Sequence, residues 1–274
     1  MSNFIKFKDN APEKLTDSWN TMIDEVVSSY FLPPEKQKVC VDIGSNIGAF
    51  MGYALQEEKF EKMYGFEPAF QTYHTSLTML KHFNLIREDV QVRNLAVTEK
   101  TGQLLRLFGH ESNESGNTSL IPPENPSGEE VCISVGLDDI FEIIGADYID
   151  YLKMDCEGAE LNILHGCKRI QDIGFISAEV HHGMMQNVRD FFKANGFWSM
   201  NFKSPDDETE GDMIFAVNVL KQDMDQFKQY YGYDEFGKKK TIEELEKLAV
   251  EAGVPPLNIK EYKDELLERL GEAD

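Results

Sequence analysis

The chain has 274 residues with 49 acidic and 27 basic side chains, which give a formal net charge of −22 at pH 7. Proteins that bind nucleic acids or anionic membranes need clustered Lys and Arg, so this balance predicts neither partner. The 4 cysteines form no Cys-x-x-Cys pair and no run approaches the ~18 apolar residues of a membrane span, which favours a cytoplasmic protein with reduced thiols.

The first predicted elements are a helix, a strand and a second helix. Apolar residues recur at helical intervals from about residue 12 to residue 31, and the Pro33-Pro34 pair ends that helix. An apolar strand begins at Val39. It breaks into a turn between Gly44 and Gly48, after which a helical pattern resumes. A strand, a glycine turn and a helix N-terminus together predict a nucleotide-like ligand site.

The glycine turn has the spacing Asp-x-Gly-x-x-x-Gly, from Asp42 to Gly48. This spacing suits S-adenosylmethionine (SAM) better than a dinucleotide, whose pyrophosphate requires Gly-x-Gly-x-x-Gly. Asp42 is expected either to shape the turn or to meet the amino group of SAM. The other predicted cofactor contacts in this turn are Gly44, Ser45, Asn46 and Gly48.

The second predicted strand ends at an acid, Glu67, which lies 23 positions after Gly44. An acid about 20 residues beyond a glycine turn is placed to accept hydrogen bonds from ribose hydroxyls. Pro68 follows and can open the next helix without losing a backbone donor. The alternative is an ordinary solvated acid, but two motifs in register favour the ribose contact.

An insertion interrupts the alternation of strands and helices between Gly102 and Leu137. Two extra strands are predicted there, Leu104 to Phe108 and Val131 to Val135. The polar loop between them runs from about His110 to Ser127. Long loops inside compact domains are usually lids or disordered, so this loop is expected to be mobile without ligand and to cover the acceptor.

Three acids follow the fourth predicted strand of the main sheet, which runs from Ile149 to Met154. Asp155 and Glu157 come directly after the strand and are predicted to lie on the rim that the glycine turn marks. Asp155 is assigned to the cofactor and Glu157 to catalysis. Glu160 opens the next helix, where acids commonly complement the dipole and cap free amides, and it is assigned that role.

The next predicted strand of this sheet ends at Glu179 and His181. If SAM gives its methyl group to a hydroxyl, a proton must leave, and the candidate bases are Glu157, Glu179 and His181. His181 and His182 could equally form a hydrogen-bonded pair at the strand end. No metal ligand is assigned, although a divalent metal held by Asp155, Glu179 and His181 is an alternative.

The last predicted elements are a closing hairpin and two helices. Trp198 to Asn201 and Met213 to Asn218 are predicted to pair as antiparallel strands. A capping box at Thr241 opens one C-terminal helix, and a second amphipathic helix runs to about Leu270.

Short sequence blocks recur in a familiar order between about Val39 and about His181. They are Asp42-Ile-Gly-Ser-Asn-Ile-Gly48, Phe66-Glu-Pro68, Asn94-Leu-Ala-Val97, Gly102, Gly116-Asn-Thr-Ser-Leu120, Leu137-Asp-Asp139 and Lys153-Met-Asp-Cys-Glu-Gly-Ala-Glu160. In these blocks the chain resembles the FkbM-type SAM-dependent methyltransferases. The last block is the specific one, because many methyltransferase families share the glycine turn.

The resemblance implies an α/β fold of the Rossmann-like class I methyltransferase type, with a mostly parallel seven-stranded sheet and helices on both faces. The alternation of strands and helices up to about Val180 favours the same kind of sheet. The resemblance also implies that Asn94 and Ala96 lie on the adenine side of SAM. The predicted division is an N-terminal helical segment (1–35), a SAM-dependent methyltransferase domain (36–220) and a C-terminal helical extension (221–274).

The implied activity is O-methylation of a hydroxyl on a sugar, glycan or polyketide-like small molecule, with SAM as cofactor and no nucleic-acid or membrane partner. An NAD(P)-dependent oxidoreductase would share the glycine turn and Glu67 but would need the missing Gly-x-Gly-x-x-Gly. A catalytically silent SAM-binding module would keep the fold and lose the cofactor contacts. The expected residue types are all present, so the sequence favours an enzyme.

Overall fold

The computed structural model describes residues 13–30, 32–33, 35–109, 118–119, 128–181, 183–202, 213–218 and 221–222. In chain order the elements are α1 (Glu13–Ser29), β1 (Gln37–Ile43), α2 (Ala49–Gln56), β2 (Phe60–Phe66), α3 (Phe70–His82), β3 (Val90–Arg93), β4 (Ala96–Thr98), β5 (Leu104–Gly109), β6 (Thr118–Ser119), β7 (Gly128–Gly136), α4 (Leu137–Ile144), β8 (Ile149–Met154), α5 (Glu160–Gly166), a 3-10 turn (Ile170–Asp172), β9 (Ile173–Glu179), α6 (Met185–Ala194), β10 (Phe197–Phe202) and β11 (Met213–Asn218).

The main sheet has 7 strands in the order β3-β2-β1-β8-β9-β11-β10. Neighbouring strands are parallel except β11, which runs antiparallel to both β9 and β10. The predicted mostly parallel sheet and its closing hairpin are therefore confirmed. From β1 the chain continues through β2 and β3 to one edge of the sheet. It comes back beside β1 at β8 and continues through β9 towards the other edge. Open α/β sheets bind ligands at such a switch point, outside the carboxyl ends of the strands.

Both faces of the main sheet are buried, because its strands point alternate side chains into two cores. In β1, Cys40 packs with α1, α2 and α3, whereas its neighbour Val41 packs with α4, α5 and α6. The predicted N-terminal helix is confirmed as α1, whose Trp19 is 1% exposed. Stable packing on both faces holds the strand ends rigidly, which is what a site built from several strand ends requires.

The predicted extra strands form a second, 4-stranded sheet in the order β4-β7-β5-β6. Strand β5 pairs antiparallel with β7 and brings Leu107 towards the main sheet, where it is 2% exposed. Most of the proposed lid between His110 and Ser127 lies outside the described residues, and so do both predicted C-terminal helices. Among the described helices, none has the length and hydrophobicity needed to cross a membrane.

Candidate active site

The glycine turn that follows β1 lies directly beside the end of β8. Gly44 has φ +71, and a Cβ on it would collide with the backbone carbonyl oxygen of Asp155. The Gly44 amide donates to the carbonyl of Phe66 at 3.0 Å, and the Asp155 amide donates to the carbonyl of Ile43 at 3.0 Å. Three strand ends therefore meet at one point, and only glycine fits at their centre.

The cofactor contact of Gly48 stays a prediction, and the structure places this residue at the start of α2, packed against α3. It has φ +87 and precedes α2, and a Cβ there would lie 3.4 Å from the side chain of Leu80 on α3. Ser45 is only 3% exposed, and its hydroxyl lies beneath the turn, 3.0 Å from where a Cβ on Gly65 would be. Asn46, by contrast, faces the cleft. Gly44 and Asn46 therefore line the cleft, while Ser45 and Gly48 pack inward.

Glu67 lies where the prediction places it, directly after β2 and beside the glycine turn. Its Oε2 accepts the Asn46 amide at 2.9 Å, and its Oε1 accepts the Ala69 amide at 2.8 Å. The residue is 5% exposed. Burial raises the pKa of Glu67 to about 7, although the two amides act in the opposite direction. Each oxygen keeps a lone pair for a further donor, as a contact to ribose hydroxyls requires.

Asn94, predicted on the adenine side, is occupied with the protein's own backbone. Its side-chain amide donates to the carbonyl oxygens of Glu67 at 2.9 Å and Pro68 at 2.8 Å. The side chain therefore fixes the loop that carries Glu67. Ala96, two positions on, does line the cleft.

A buried polar network lies under the cleft and includes a residue that the sequence analysis did not assign. Lys153 Nζ lies 3.3 Å from Asp42 Oδ1, 3.5 Å from Asp155 Oδ2 and 2.8 Å from the carbonyl oxygen of Gly44. The Tyr30 hydroxyl donates to the same Asp155 oxygen at 3.1 Å. Burial alone would lower the pKa of Lys153, but the two carboxylates outweigh it and raise that pKa. Lys153 therefore stays charged and holds the glycine turn to the end of β8.

Asp42 itself is fully buried, with 0% exposure. Of the two predicted roles for Asp42, shaping the turn is the one that this position supports. The sequence contained a signal for Lys153, because this cation stands between two apolar residues of a predicted strand. The pattern did not predict which residue it pairs with. Tyr30 carried none, since its ring fits the apolar face of a helix equally well.

A second polar cluster surrounds His181 at the edge of the cleft. Its Nδ1 lies 3.1 Å from Glu160 Oε1, while its Nε2 lies 3.4 Å from Glu179 Oε1 and 3.7 Å from Glu157 Oε2. Burial would lower the pKa of His181, but Glu160 and Glu179 outweigh it and raise the pKa to about 11. Burial also raises the pKa of Glu157, against the effect of the facing His181.

Glu160 lies at the start of α5 as predicted, but the amides that it accepts belong to the loop before the helix. Its Oε1 accepts the backbone amides of Cys156 and Gly158, both at 3.1 Å. Glu157 lies between them with φ +52, a left-handed conformation that directs its side chain towards the cleft. The capping acid thus shapes the loop that presents Glu157 and also holds the ring of His181.

The strand ends enclose an open cleft of about 670 Å³. Its lining contains Ile43, Gly44, Asn46, Phe66, Glu67, Pro68, Ala96, Val97, Leu107, Asp155, Cys156, Glu157 and Ala159. The lining is polar at Asp155 and Glu157, which we call the polar end of the cleft, and apolar at Pro68, Ala96, Val97 and Leu107, which we call its apolar end. Leu107 comes from the inserted sheet, and the sequence analysis did not predict it in the cleft.

Comparison with known proteins identifies one family and several similar folds. Residues 42–198 match the family described as Methyltransferase FkbM domain. The FkbM methyltransferase structure from Methylobacillus flagellatus KT is similar at 17% sequence identity and a TM-score of 0.51, over 77% of this chain and 56% of that one. This chain therefore spans 56% of that protein's length. No curated protein matches the sequence.

Two further solved structures resemble the chain more weakly. A putative tRNA (m1A22) methyltransferase from Streptococcus pneumoniae has 11% identity and a TM-score of 0.47, over 89% of this chain and 83% of that one. TrmK from M. capricolum, bound to S-adenosylhomocysteine, has 13% identity and a TM-score of 0.44, over 96% of both chains. The likeness to the FkbM methyltransferase structure, at 17% identity, shows the fold alone.

Proposed function

Because the chain belongs to the FkbM methyltransferase domain family, we propose that it transfers the methyl group of SAM to a hydroxyl of a small-molecule or carbohydrate acceptor. The observation that carries this proposal is the convergence of Gly44, Glu67 and Asp155 on one cleft. These residues belong to the ends of three different strands. Their arrangement supports a ligand with a sugar at its centre and polar groups at one end.

The residues of the cleft fit SAM in three parts. Glu67, a carboxylate with free lone pairs, would hold the ribose hydroxyls. The apolar end would cover the adenine, and it consists of Pro68, Ala96, Val97 and Leu107. Gly44 and Asn46 leave room for the methionine portion beside Asp155. Bound SAM supplies an electrophilic methyl group, and what remains for the protein is to place the acceptor and remove its proton.

Proton removal is assigned to the polar end of the cleft. Glu157 lines the cleft with a side chain that is 42% exposed, and the side chain of Glu179, 28% exposed, meets the same imidazole nitrogen of His181. Burial raises the pKa of Glu157, so its carboxylate is a stronger base than an ordinary solvated one. Glu157 is the leading candidate for the base. His181, predicted as the other candidate, has a pKa raised to about 11 and therefore holds its proton near neutral pH, so we assign it, with Glu160 behind the ring, to positioning.

The charge of the cleft favours an acceptor that is not a polyanion. Asp155, Glu157 and Glu179 stand together at its polar end, and carboxylates repel phosphate groups. A neutral hydroxyl compound such as a sugar or a polyketide-like molecule meets no such repulsion. This electrostatic argument, and the net charge of −22, support a small-molecule or carbohydrate acceptor over a nucleic acid.

The test is incubation of the full chain with SAM labelled in its methyl group and with separate pools of metabolites, glycans and RNA. Mass spectrometry then finds the labelled product. We expect label in the metabolite or glycan pool, and its loss in the Glu67→Ala protein. Label confined to RNA would reject the acceptor proposed here while leaving methyl transfer intact. Absence of label in every pool, with SAM binding also absent, would reject the function itself.

A further inference from the structure

We propose that Asp155, Glu157 and His181 form a binding site for a divalent cation at the polar end of the cleft. One ligand atom from each of these side chains lies within 4.8 Å of the others. Two atoms that coordinate one ion at ~2.1 Å can be at most ~4.2 Å apart, so a shift of less than ~1 Å in flexible side chains closes the site. The separation of His181 Nε2 from Glu157 Oε2, 3.7 Å, already meets this limit.

The orientation of His181 is the second observation. Histidines that bind metals commonly direct one ring nitrogen at the ion while the other donates to a carboxylate. Here Nδ1 faces Glu160 at 3.1 Å, and Nε2 faces the carboxylates of Glu157 and Glu179. Glu160 is 2% exposed and is itself held by two backbone amides, so it fixes the ring. The ring is thus aimed into the cluster through Nε2, and an ion bound there would displace the proton that Nε2 shares with Glu157 and Glu179.

The cluster also has a reason to take a cation. Asp155, Glu157 and Glu179 place several negative charges around one imidazole in a partly buried pocket. Lys153 and the Tyr30 hydroxyl both approach Asp155 through its Oδ2. A divalent ion would neutralise the repulsion that the carboxylates exert on one another. One nitrogen and two carboxylate ligands suit Mn²⁺ better than an ion that demands oxygen alone.

This site would deepen the proposed function, on which its catalytic role rests. The ion lies beside the cofactor residues Gly44 and Asp155, and a hydroxyl placed on a divalent cation has a lowered pKa. With Glu157 on the ion, Glu179 would receive the proton in its place. Binding of the ion does not itself depend on methyl transfer, so the two proposals can fail separately.

The test is titration of Mn²⁺ into the full chain, followed by electron paramagnetic resonance of the free ion, in the absence of SAM and acceptor. We expect one saturable site per chain and a loss of affinity of at least about tenfold in Glu157→Gln and in His181→Gln. Glu160→Gln should weaken binding by roughly 10- to 100-fold, as changes behind a metal ligand commonly do. Glu142→Gln is the matched control, since its side chain is 84% exposed and lies away from the cleft, and it should bind as the unaltered chain does.

The net charge of the chain makes weak surface binding of Mn²⁺ expected, so the variants decide the outcome. Circular dichroism and calorimetry with S-adenosylhomocysteine show which variants are folded, and Glu157→Gln is the most tolerant change because that side chain is 42% exposed. A chain without a saturable site would overturn the proposal. So would a folded Glu157→Gln protein that binds Mn²⁺ like the Glu142→Gln control. If the unaltered chain bound Mn²⁺ but not S-adenosylhomocysteine, the proposed function would be rejected and the cation site would still stand.

Discussion

The ammonium of Lys153 lies 3.3 Å from the carboxylate of Asp42, directly across the β8–β1 pairing, with exposures of only 4% and 0% for the two side chains. The same ammonium bonds the carbonyl of Gly44 and approaches Asp155. One buried cation therefore ties together the two loops that form the centre of the cleft. Buried charges persist only when they are paired, so each partner depends on the other.

We expect Lys153→Met to lower the free energy of unfolding by about 3 to 5 kcal/mol, because it leaves two carboxylates facing each other without their cation. The matched control is Lys100→Met, whose side chain is 66% exposed and pairs with Glu99 on the surface. Surface pairs contribute at most about 1 kcal/mol, so the control should change little. Urea unfolding measures the free energy of unfolding of both variants. Equal losses in the two proteins would contradict a stabilising role of the buried pair.

Gly44 provides a second test of the same junction. Gly44→Ala should destabilise the protein well beyond the ~1 to 2 kcal/mol that a left-handed conformation costs an L-residue, since its Cβ also collides with the Asp155 carbonyl. Gly145→Ala is the control, because Gly145 has a similar φ of +65 and open space around it. Urea unfolding and soluble yield are the measurements. If Gly145→Ala lowered the free energy of unfolding as much as Gly44→Ala does, the close approach of the two loops would not explain the effect at Gly44.

Glu67 should make cofactor binding depend on pH. Its pKa is raised to about 7 by burial, against the amides of Ala69 and Asn46 and the charge of Lys153, with Asp42 adding to the rise. Ribose hydroxyls bond best to the ionised carboxylate, so affinity for S-adenosylhomocysteine should increase as the pH rises from about 6 to about 8. Calorimetry across that pH range measures how the affinity for S-adenosylhomocysteine changes with pH.

The control for this prediction is Glu67→Gln, which keeps the shape of the side chain and removes its titration. Its affinity should be lower by roughly 1 to 3 kcal/mol and should vary less with pH. A variant with the same slope as the unaltered chain would assign the pH dependence to another group. An unchanged dissociation constant would place the ribose contact elsewhere.

The base at the polar end of the cleft should affect turnover and not cofactor affinity. Glu157→Gln, which removes the proposed base, should reduce turnover by roughly a hundred- to ten-thousand-fold with little change in SAM binding, and His181→Ala, which removes the imidazole that faces this base, should lower turnover as well. Steady-state assays with the acceptor found by labelling, together with calorimetry, separate the two effects. Near-normal turnover in both variants would exclude these residues. Loss of SAM affinity in proportion to activity would indicate that they only hold the rim together.

The sequence predicted the rim of the site well because the rim follows from strand ends. Apolar periodicity locates where each strand stops, and parallel strands of one sheet bring their ends to one edge. Asp42, Glu67, Asp155 and Glu157 all follow from this reasoning, and the structure places three of them in the cleft lining. Asp42 is the exception, because its side chain points into the sheet and meets Lys153.

What the sequence could not predict are contacts between residues that are distant in the chain. Tyr30 reaches Asp155 across 125 positions, and Leu107 enters the cleft from an inserted sheet. Asn94 has an amide that suits either a ligand or a loop, and the structure shows it bonded to the backbone at Glu67 and Pro68. Residue type alone does not distinguish these roles. Only the packing of the elements determines which partner a polar side chain meets.

Calorimetric titration of the full chain with SAM and with S-adenosylhomocysteine tests the central claim most directly. We expect one site of micromolar or tighter affinity, and ligand at ~100 times its dissociation constant should stabilise the fold by about 2.7 kcal/mol. The Glu67→Ala protein, titrated in parallel, should bind more weakly by roughly 1 to 3 kcal/mol. An absence of heat with both ligands, combined with binding of NADH, would contradict the assignment of this cleft to SAM.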